Sequence, residues 1–196
     1  LDYQTSSNIG HDMNFSLRPG EALVWGWKNR GKYHGSDPTL GEGTKPLANG
    51  MWQFQPRLTA ERIAADSESF EGIVPGYGQV LGPGSIIYRV CAPYLLVGGE
   101  VQVSGTAIGL ALSWDGKEWN NLTLSQVDGP PLCSVLDKHF PPTGLARYEY
   151  LLKVNLGKGG RLTDLQISND LQMAPLCMPY LELGDNLIQY VDETAG

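Results

Sequence analysis

The chain has 196 residues, a net charge of −7 and 41% hydrophobic residues. This length suits one domain with a substantial core, and the acidic balance excludes a general nucleic-acid binder, whose surface is basic. Because no apolar run approaches the roughly 18 residues of a membrane-crossing helix, we expect no membrane span. The 25 glycines and 13 prolines predict short strands joined by many turns.

Residues 1–14 are polar and lack a pattern, so we expect an N-terminal arm followed by a single domain over residues 15–196. Alternation of apolar and polar residues in that domain predicts strands. The predicted strands cover residues 15–17, 23–34, 51–54, 85–91, 100–104, 107–114, 119–124, 147–156, 162–168 and 186–191.

The remaining segments predict a helix, turns and loops. Residues 58–70 are the best helix candidate, although their apolar residues form no regular stripe. Glycines predict turns at 97–99, at Asp115-Gly116 and at 157–160. Two long loops are predicted, one over the glycine-rich residues 35–50 and one over residues 128–144, which contain four prolines. The sequence therefore predicts an all-β fold, an antiparallel β-sandwich (jelly-roll-like) of about nine or ten strands with at most one short helix.

The stretch 23–34 has two chemically different faces. With a period of two, aromatic side chains point to one side and basic ones to the other, and residues 18–45 hold five basic against three acidic side chains. The predicted ligand-binding residues are Lys28, Arg30, Lys32, Tyr33 and His34. The alternative interpretation is an edge strand whose outward charges discourage pairing with another strand.

The segment Ser113-Trp-Asp-Gly-Lys-Glu-Trp119 contains the most specific local motif. Its Asp-Gly pair suits a tight hairpin turn. The pattern resembles the strand–turn–strand signature of galactose-binding-like (discoidin-type) sandwiches and, one residue short, the aspartate box of sialidases. Because this element is mainly structural in both families, the resemblance implies structural roles for Asp115 and Trp119.

A broader resemblance covers most of residues 15–195. It is carried by the segments LRPGE, WKNRGKYH, YRVCAPY, VGG, SWDGKEW, LQMAP and LGDN. Together these segments are similar to a β-sandwich accessory module of bacterial polysaccharide-degrading enzymes, including heparinase-like lyases and sialidase-like proteins. The resemblance implies a polysaccharide partner and a secreted, periplasmic or cell-surface location.

Three functions follow as expectations. The preferred one is a non-catalytic carbohydrate-binding or accessory domain for an acidic polysaccharide, in which sugar rings stack on aromatics and cations reach carboxylates. The first alternative is a small jelly-roll lyase acting on a uronate polymer, with Tyr33 or His34 as base and Arg30 or Lys32 neutralising the acid. The second alternative is a structural spacer that packs on a catalytic domain or partner chain.

Metal and cysteine chemistry is weakly indicated. The three histidines lie far apart without metal-ligand spacing, so we expect no cofactor, with Ca²⁺ on loop carboxylates and carbonyls as the alternative. Three cysteines without a CxxC spacing cannot all pair. We therefore expect at most one disulfide, and buried free thiols rather than a cystine.

Overall fold

The computed structural model describes residues 16–25, 32–35, 48–126 and 129–173. These ranges contain one antiparallel sheet of eleven strands and one short α-helix, which confirms the predicted all-β fold. The predicted arm at 1–14 and the predicted strand at 186–191 lie outside the described residues. Within the described ranges, no helix has the length and apolar character needed to cross a membrane.

The elements are named in chain order. They are β1 (Glu21–Trp25), β2 (Ala48–Phe54), α1 (Ala60–Asp66), β3 (Ser69–Glu71), β4 (Val74–Gly76), β5 (Gln79–Leu81), β6 (Gly84–Cys91), β7 (Leu95–Ser113), β8 (Asn120–Leu122), β9 (Ser125–Gln126), β10 (Leu132–Val135) and β11 (Glu149–Gln172). A 3₁₀ turn, Asp137–His139, follows β10.

Two long strands, β7 and β11, pair with each other over nearly their whole lengths. The turns predicted at 97–99 and 157–160 are wrong, because the chain continues through both glycine-rich stretches as strand. Glycine there permits close approach of the partner backbone: a Cβ on Gly99 would lie 2.1 Å from the Ser168 carbonyl oxygen. At Gly105 a Cβ would lie 1.8 Å from the Arg161 carbonyl oxygen.

The sheet folds over on itself into two layers. One layer has the strand order β3–β6–β11–β7–β8, and the other has the order β1–β2–β11–β7–β10–β9. The ring of Phe54 in β2 lies edge-on to the ring of Tyr88 in β6, with centroids 5.7 Å apart. Because β2 and β6 belong to different layers, this contact shows that the inner faces pack together as in a sandwich.

Strand β11 bends between Leu156 and Asp164, where its register against β7 shifts. The bend changes which residues of β11 face the core. Before the bend the buried hydrophobic residues are even-numbered, and from Leu165 onward the fully buried residues are odd-numbered, although Asp170, which pairs with Lys32, is buried too. The core-facing residues are Tyr150, Leu152, Val154 and Leu156 in the first part, and Leu165, Ile167, Asn169 and Leu171 in the second. The register shifts between Leu156 and Arg161 and between Leu162 and Asp164, and such bulges both bend a strand and change its inward-facing set.

Helix α1 is shorter than the predicted helix over 58–70. Thr59 caps its start by accepting a hydrogen bond from the Arg62 amide at 3.3 Å. At its end the Ser67 hydroxyl donates to the Ile63 carbonyl at 2.6 Å. Residues 69–71 then pair with β6 as strand β3, because without an apolar stripe nothing favours continuing the helix.

Two further expectations need correction. The long loop predicted over 128–144 contains β10, which pairs with β7 and β9. The cysteines Cys91 and Cys133 are free thiols, and Cys91 is exposed rather than buried because it ends β6 on the outward side of the alternation.

Candidate functional site

The predicted ligand-binding residues fall partly within the described chain. Lys28 and Arg30 lie outside the described residues, whereas Lys32, Tyr33 and His34 are described. The predicted strand over 23–34 is wrong at its end, because residues 32–35 form no strand. We call residues 32–35 the strap.

The strap is held by contacts to two other parts of the chain instead of by a strand ladder. The His34 amide donates to the Gln172 side-chain oxygen at 2.5 Å, and the Gln172 amide group donates to the His34 carbonyl at 3.0 Å. The Gly35 amide donates to the Pro142 carbonyl at 2.8 Å. The strap therefore joins the end of β11 to the loop that follows the 3₁₀ turn.

Lys32 forms an ion-paired centre at the strap. Its Nζ lies 2.7 Å from Asp137 Oδ1 and 2.5 Å from Asp170 Oδ2. Burial of the amine opposes its charge, but the hydrogen bonds and charges of the two aspartates outweigh burial and raise the pKa of Lys32 above its ordinary value. Lys32 stays cationic, and two carboxylates balance its charge.

An open groove of about 400 Å³ lies beside Lys32 on the outer face of the second layer. We call it the outer groove. Its lining comprises Lys32, Met51, Gln53, Gly99, Glu100, Val135, Gln166, Ser168 and Asp170. The outward-facing residues of four strands form a row across its floor, because Gln53 pairs with Ser168, Ser168 with Glu100, and Glu100 with Val135.

Several polar groups on this floor have unused hydrogen-bonding capacity. The side chains of Gln53, Gln166 and Ser168 make no hydrogen bond to another described residue and are half-buried. Glu100 accepts a hydrogen bond of 2.8 Å from the Gln102 side chain. Amides, a hydroxyl and a carboxylate in one open groove can donate to and accept from a ligand rich in hydroxyl groups.

A second pocket of about 310 Å³ lies on the other side of the strap, and we call it the histidine pocket. It is lined by His34, Leu96, Trp114, His139, Phe140, Pro141, Thr143, Gly144, Leu145 and Arg147. The fold thus brings His34 close to His139, which the sequence interpretation left as a separate loop residue. None of the lining residues is acidic.

The walls of the histidine pocket combine aromatic rings with unpaired polar groups. The Trp114 and Phe140 rings lie edge-to-face at 5.3 Å, and the Arg147 guanidinium carbon lies 4.3 Å above the Trp114 ring. The Nε2 atoms of His34 and His139 are buried and have no hydrogen-bonding partner among the described residues. Burial, with a smaller effect of Lys138, lowers the pKa of His139 below its ordinary value.

The sequence interpretation missed His139, Arg147 and Trp114 as members of one site. The available signal was the proline-rich segment over 128–144, because long loops frequently carry functional residues. The strap meets that loop only in the folded chain.

The Asp-Gly motif is a structural turn. Asp115 Oδ1 accepts hydrogen bonds from the amides of Lys117 and Glu118 at 2.8 and 3.0 Å, and the Gly116 amide donates to the Ser113 hydroxyl at 2.9 Å. The amides of Glu118 and Lys117 hold the pKa of Asp115 below its usual range. Trp119 is half-buried, with the Lys153 amine 4.1 Å above its ring.

The described residues contain no group of three or more histidine, cysteine, aspartate or glutamate side chains arranged to hold a metal ion. No known protein family matches the chain, and no curated protein is significantly similar to it. The resemblance to carbohydrate-associated modules therefore stays a prediction from the residues. The outer groove and the histidine pocket are the two candidate functional sites.

Proposed function

We propose that the chain is a non-catalytic carbohydrate-binding or carbohydrate-enzyme accessory domain that holds a polysaccharide in the outer groove. The observation that supports the proposal is the row of amide and hydroxyl groups on the groove floor that have no hydrogen-bonding partner among the described residues. Sugars present many hydroxyl groups, each of which donates and accepts, so a floor of glutamine and serine complements them.

The position of the groove also supports this function. It runs over paired strands, whose hydrogen-bonded backbones hold the floor side chains in a fixed spacing. Lys32 and Asp170 close one side through an ion pair, and Glu100 is tied to Gln102. A rigid, open and polar groove accepts one stretch of a longer chain.

The test is affinity electrophoresis of the chain through gels that contain neutral or uronate-rich polysaccharides. We expect at least one polymer to retard the chain, and Gln166→Ala combined with Ser168→Ala to weaken that retardation by about tenfold or more, because two or more hydrogen bonds to the ligand are lost. The matched control is Asn155→Ala, an exposed outward-facing residue in the other layer of the same strand.

Retardation by none of the polymers, or retardation that the double variant leaves unchanged, would reject the proposal. The first result favours the structural spacer.

A polysaccharide lyase acting on a uronate polymer is the second candidate. It is favoured because His34, His139 and Arg147 line one pocket, and a histidine kept neutral by a lowered pKa suits a general base. Lys32 lies in the outer groove, so it is separated from this set. Accumulation of ultraviolet-absorbing unsaturated product from polygalacturonate, abolished by His139→Gln, would establish the lyase and reject the binding-only function.

A further inference from the structure

We propose that the histidine pocket is a second subsite, which accepts an anionic group, a carboxylate or a sulfate, on the glycan held in the outer groove. This inference rests on the proposed function, and it assigns the preference for acidic glycans to Arg147 and the two histidines of the pocket instead of to Lys28, Arg30 and Lys32.

The charges of the two sites differ in sign. In the outer groove Lys32 is balanced by Asp137 and Asp170, and Glu100 adds a further carboxylate. In the histidine pocket Arg147 is the charged lining residue, and it forms no ion pair with any described residue. An anion therefore meets carboxylates in the outer groove and, in the histidine pocket, a guanidinium that no described carboxylate pairs with.

The geometry of Arg147 suits recognition of a planar or tetrahedral anion. Its guanidinium carbon lies 4.3 Å above the Trp114 ring. Stacking orients the plane of the guanidinium while leaving its N–H groups available at the edge, which is the arrangement that binds carboxylate or sulfate oxygens in pairs. The Trp114 and Phe140 rings supply apolar surface for the C–H groups of the sugar that carries the anion.

The two imidazoles add donors to the same pocket. Neither Nε2 atom has a hydrogen-bonding partner among the described residues, so either ring turns toward a bound oxygen without breaking a bond at that atom. A buried polar nitrogen without a partner is unfavourable, and an anion oxygen accepting from its N–H removes that cost.

The strap connects the two sites. Lys32 lines the outer groove and His34 lines the histidine pocket, and their backbones are at most roughly 7 Å apart along the chain. A glycan that fills the groove therefore reaches the pocket by crossing the strap.

The test compares dissociation constants of the whole chain for polygalacturonate and for its carboxyl-reduced derivative, and for dextran sulfate and dextran. We expect the anionic polymer of at least one pair to bind about tenfold or more tightly than its neutral partner. Arg147→Gln should remove that preference, so that the anionic polymer binds no more tightly than its neutral partner. Arg147→Lys, which keeps the charge but loses the stacked plane, should lose part of the preference.

The matched control is Arg161→Gln, which removes the same charge from an exposed position at the bend of β11. Unchanged unfolding midpoints of both variants establish that the fold is retained. Equal affinity for charged and neutral partners, or a preference that survives Arg147→Gln, overturns the acidic subsite while leaving the carbohydrate-binding function intact. Binding of none of the four polymers rejects both.

Discussion

The Tyr150 hydroxyl donates a hydrogen bond of 3.1 Å to the side-chain oxygen of Asn169, joining two parts of one strand inside the core. Tyr150 lies in β11 before the bend, and Asn169 lies in β11 after it. The Asn169 amide group donates in turn to the Gly98 carbonyl of β7 at 3.2 Å. This buried chain of polar groups fixes the two layers relative to each other.

Removal of the Tyr150 hydroxyl should destabilise the fold. Tyr150→Phe leaves the Asn169 oxygen without its partner in the core, and we expect the free energy of unfolding to fall by about 1–2 kcal/mol. Tyr88 is the matched control, because its buried hydroxyl has no hydrogen-bonding partner among the described residues. Tyr88→Phe should leave stability unchanged or raise it by up to about 1 kcal/mol. Urea unfolding measures both, and equal losses would contradict the assignment.

Lys32 should stabilise the fold through the buried carboxylate rather than the exposed one. The Asp170 side chain is 6% exposed and the Asp137 side chain 44% exposed. Lys32→Met removes the Lys32 cation from beside the buried Asp170 carboxylate, and we expect a loss of roughly 2–4 kcal/mol. Asp137→Asn should cost less than about 1 kcal/mol, because an exposed ion pair contributes little. Thermal or urea unfolding distinguishes the two variants, and similar losses would refute this assignment.

His139 should make stability depend on pH. Burial lowers its pKa in the folded chain below the ordinary 6.5, so below that pH the unfolded chain binds a proton that the folded chain does not. Stability is therefore fully present above about pH 7 and is lost as the pH falls through about 6.5 toward the folded pKa. His139→Gln should remove this component. The unfolding free energy of the variant should therefore fall less than that of the unsubstituted chain between about pH 7.5 and about pH 5.5, limits that hold to about one pH unit. If the unfolding free energies of the variant and the unsubstituted chain fall equally with pH, His139 does not contribute to the pH dependence.

The Asp115 turn should be stabilised by its side chain. Asp115→Ala removes the acceptor of two backbone amides, and we expect it to lower the free energy of unfolding. Asp115→Asn keeps an acceptor oxygen and should lose less. Lys117→Ala is the control, because Lys117 contributes its backbone amide rather than its side chain to the turn. If Lys117→Ala costs as much as Asp115→Ala, the hydrogen bonds of the carboxylate are not the cause.

Local alternation was sufficient to predict the fold class. The pattern over 147–156 predicted one face for Tyr148, Tyr150, Leu152, Val154 and Leu156, and four of these are buried, whereas Tyr148 is 51% exposed. The predicted strand over 85–91 corresponds to β6. Alternation is a property of neighbouring residues, so it can be read without knowing which strands pair.

The continuity of β7 and β11 could not be predicted in the same way. Glycine is compatible with a reversing turn and with a strand that another backbone approaches closely. At Gly99 the deciding factor is the Ser168 carbonyl, which comes from β11. A partner so distant in sequence leaves no local signal.

The candidate site was predicted only in part for a related reason. The sequence singled out Lys32, Tyr33 and His34 by their position in a row, but the fold separates Lys32 from His34 across the strap. The polar floor of Gln53, Gln166 and Ser168 arises from the pairing of β11 with β2 on one side and with β7 on the other. His139 and Arg147 join His34 only when the strap meets the loop after the 3₁₀ turn.

The sharing of β7 and β11 by both layers has a consequence for cooperativity. Neither layer has a backbone framework of its own, because opening one requires breaking the ladder that continues into the other. The sandwich should therefore behave as one foldon, in which amide hydrogens on both sides of the bend exchange with solvent through the same global opening. A glycan bound on one layer should then slow exchange in both.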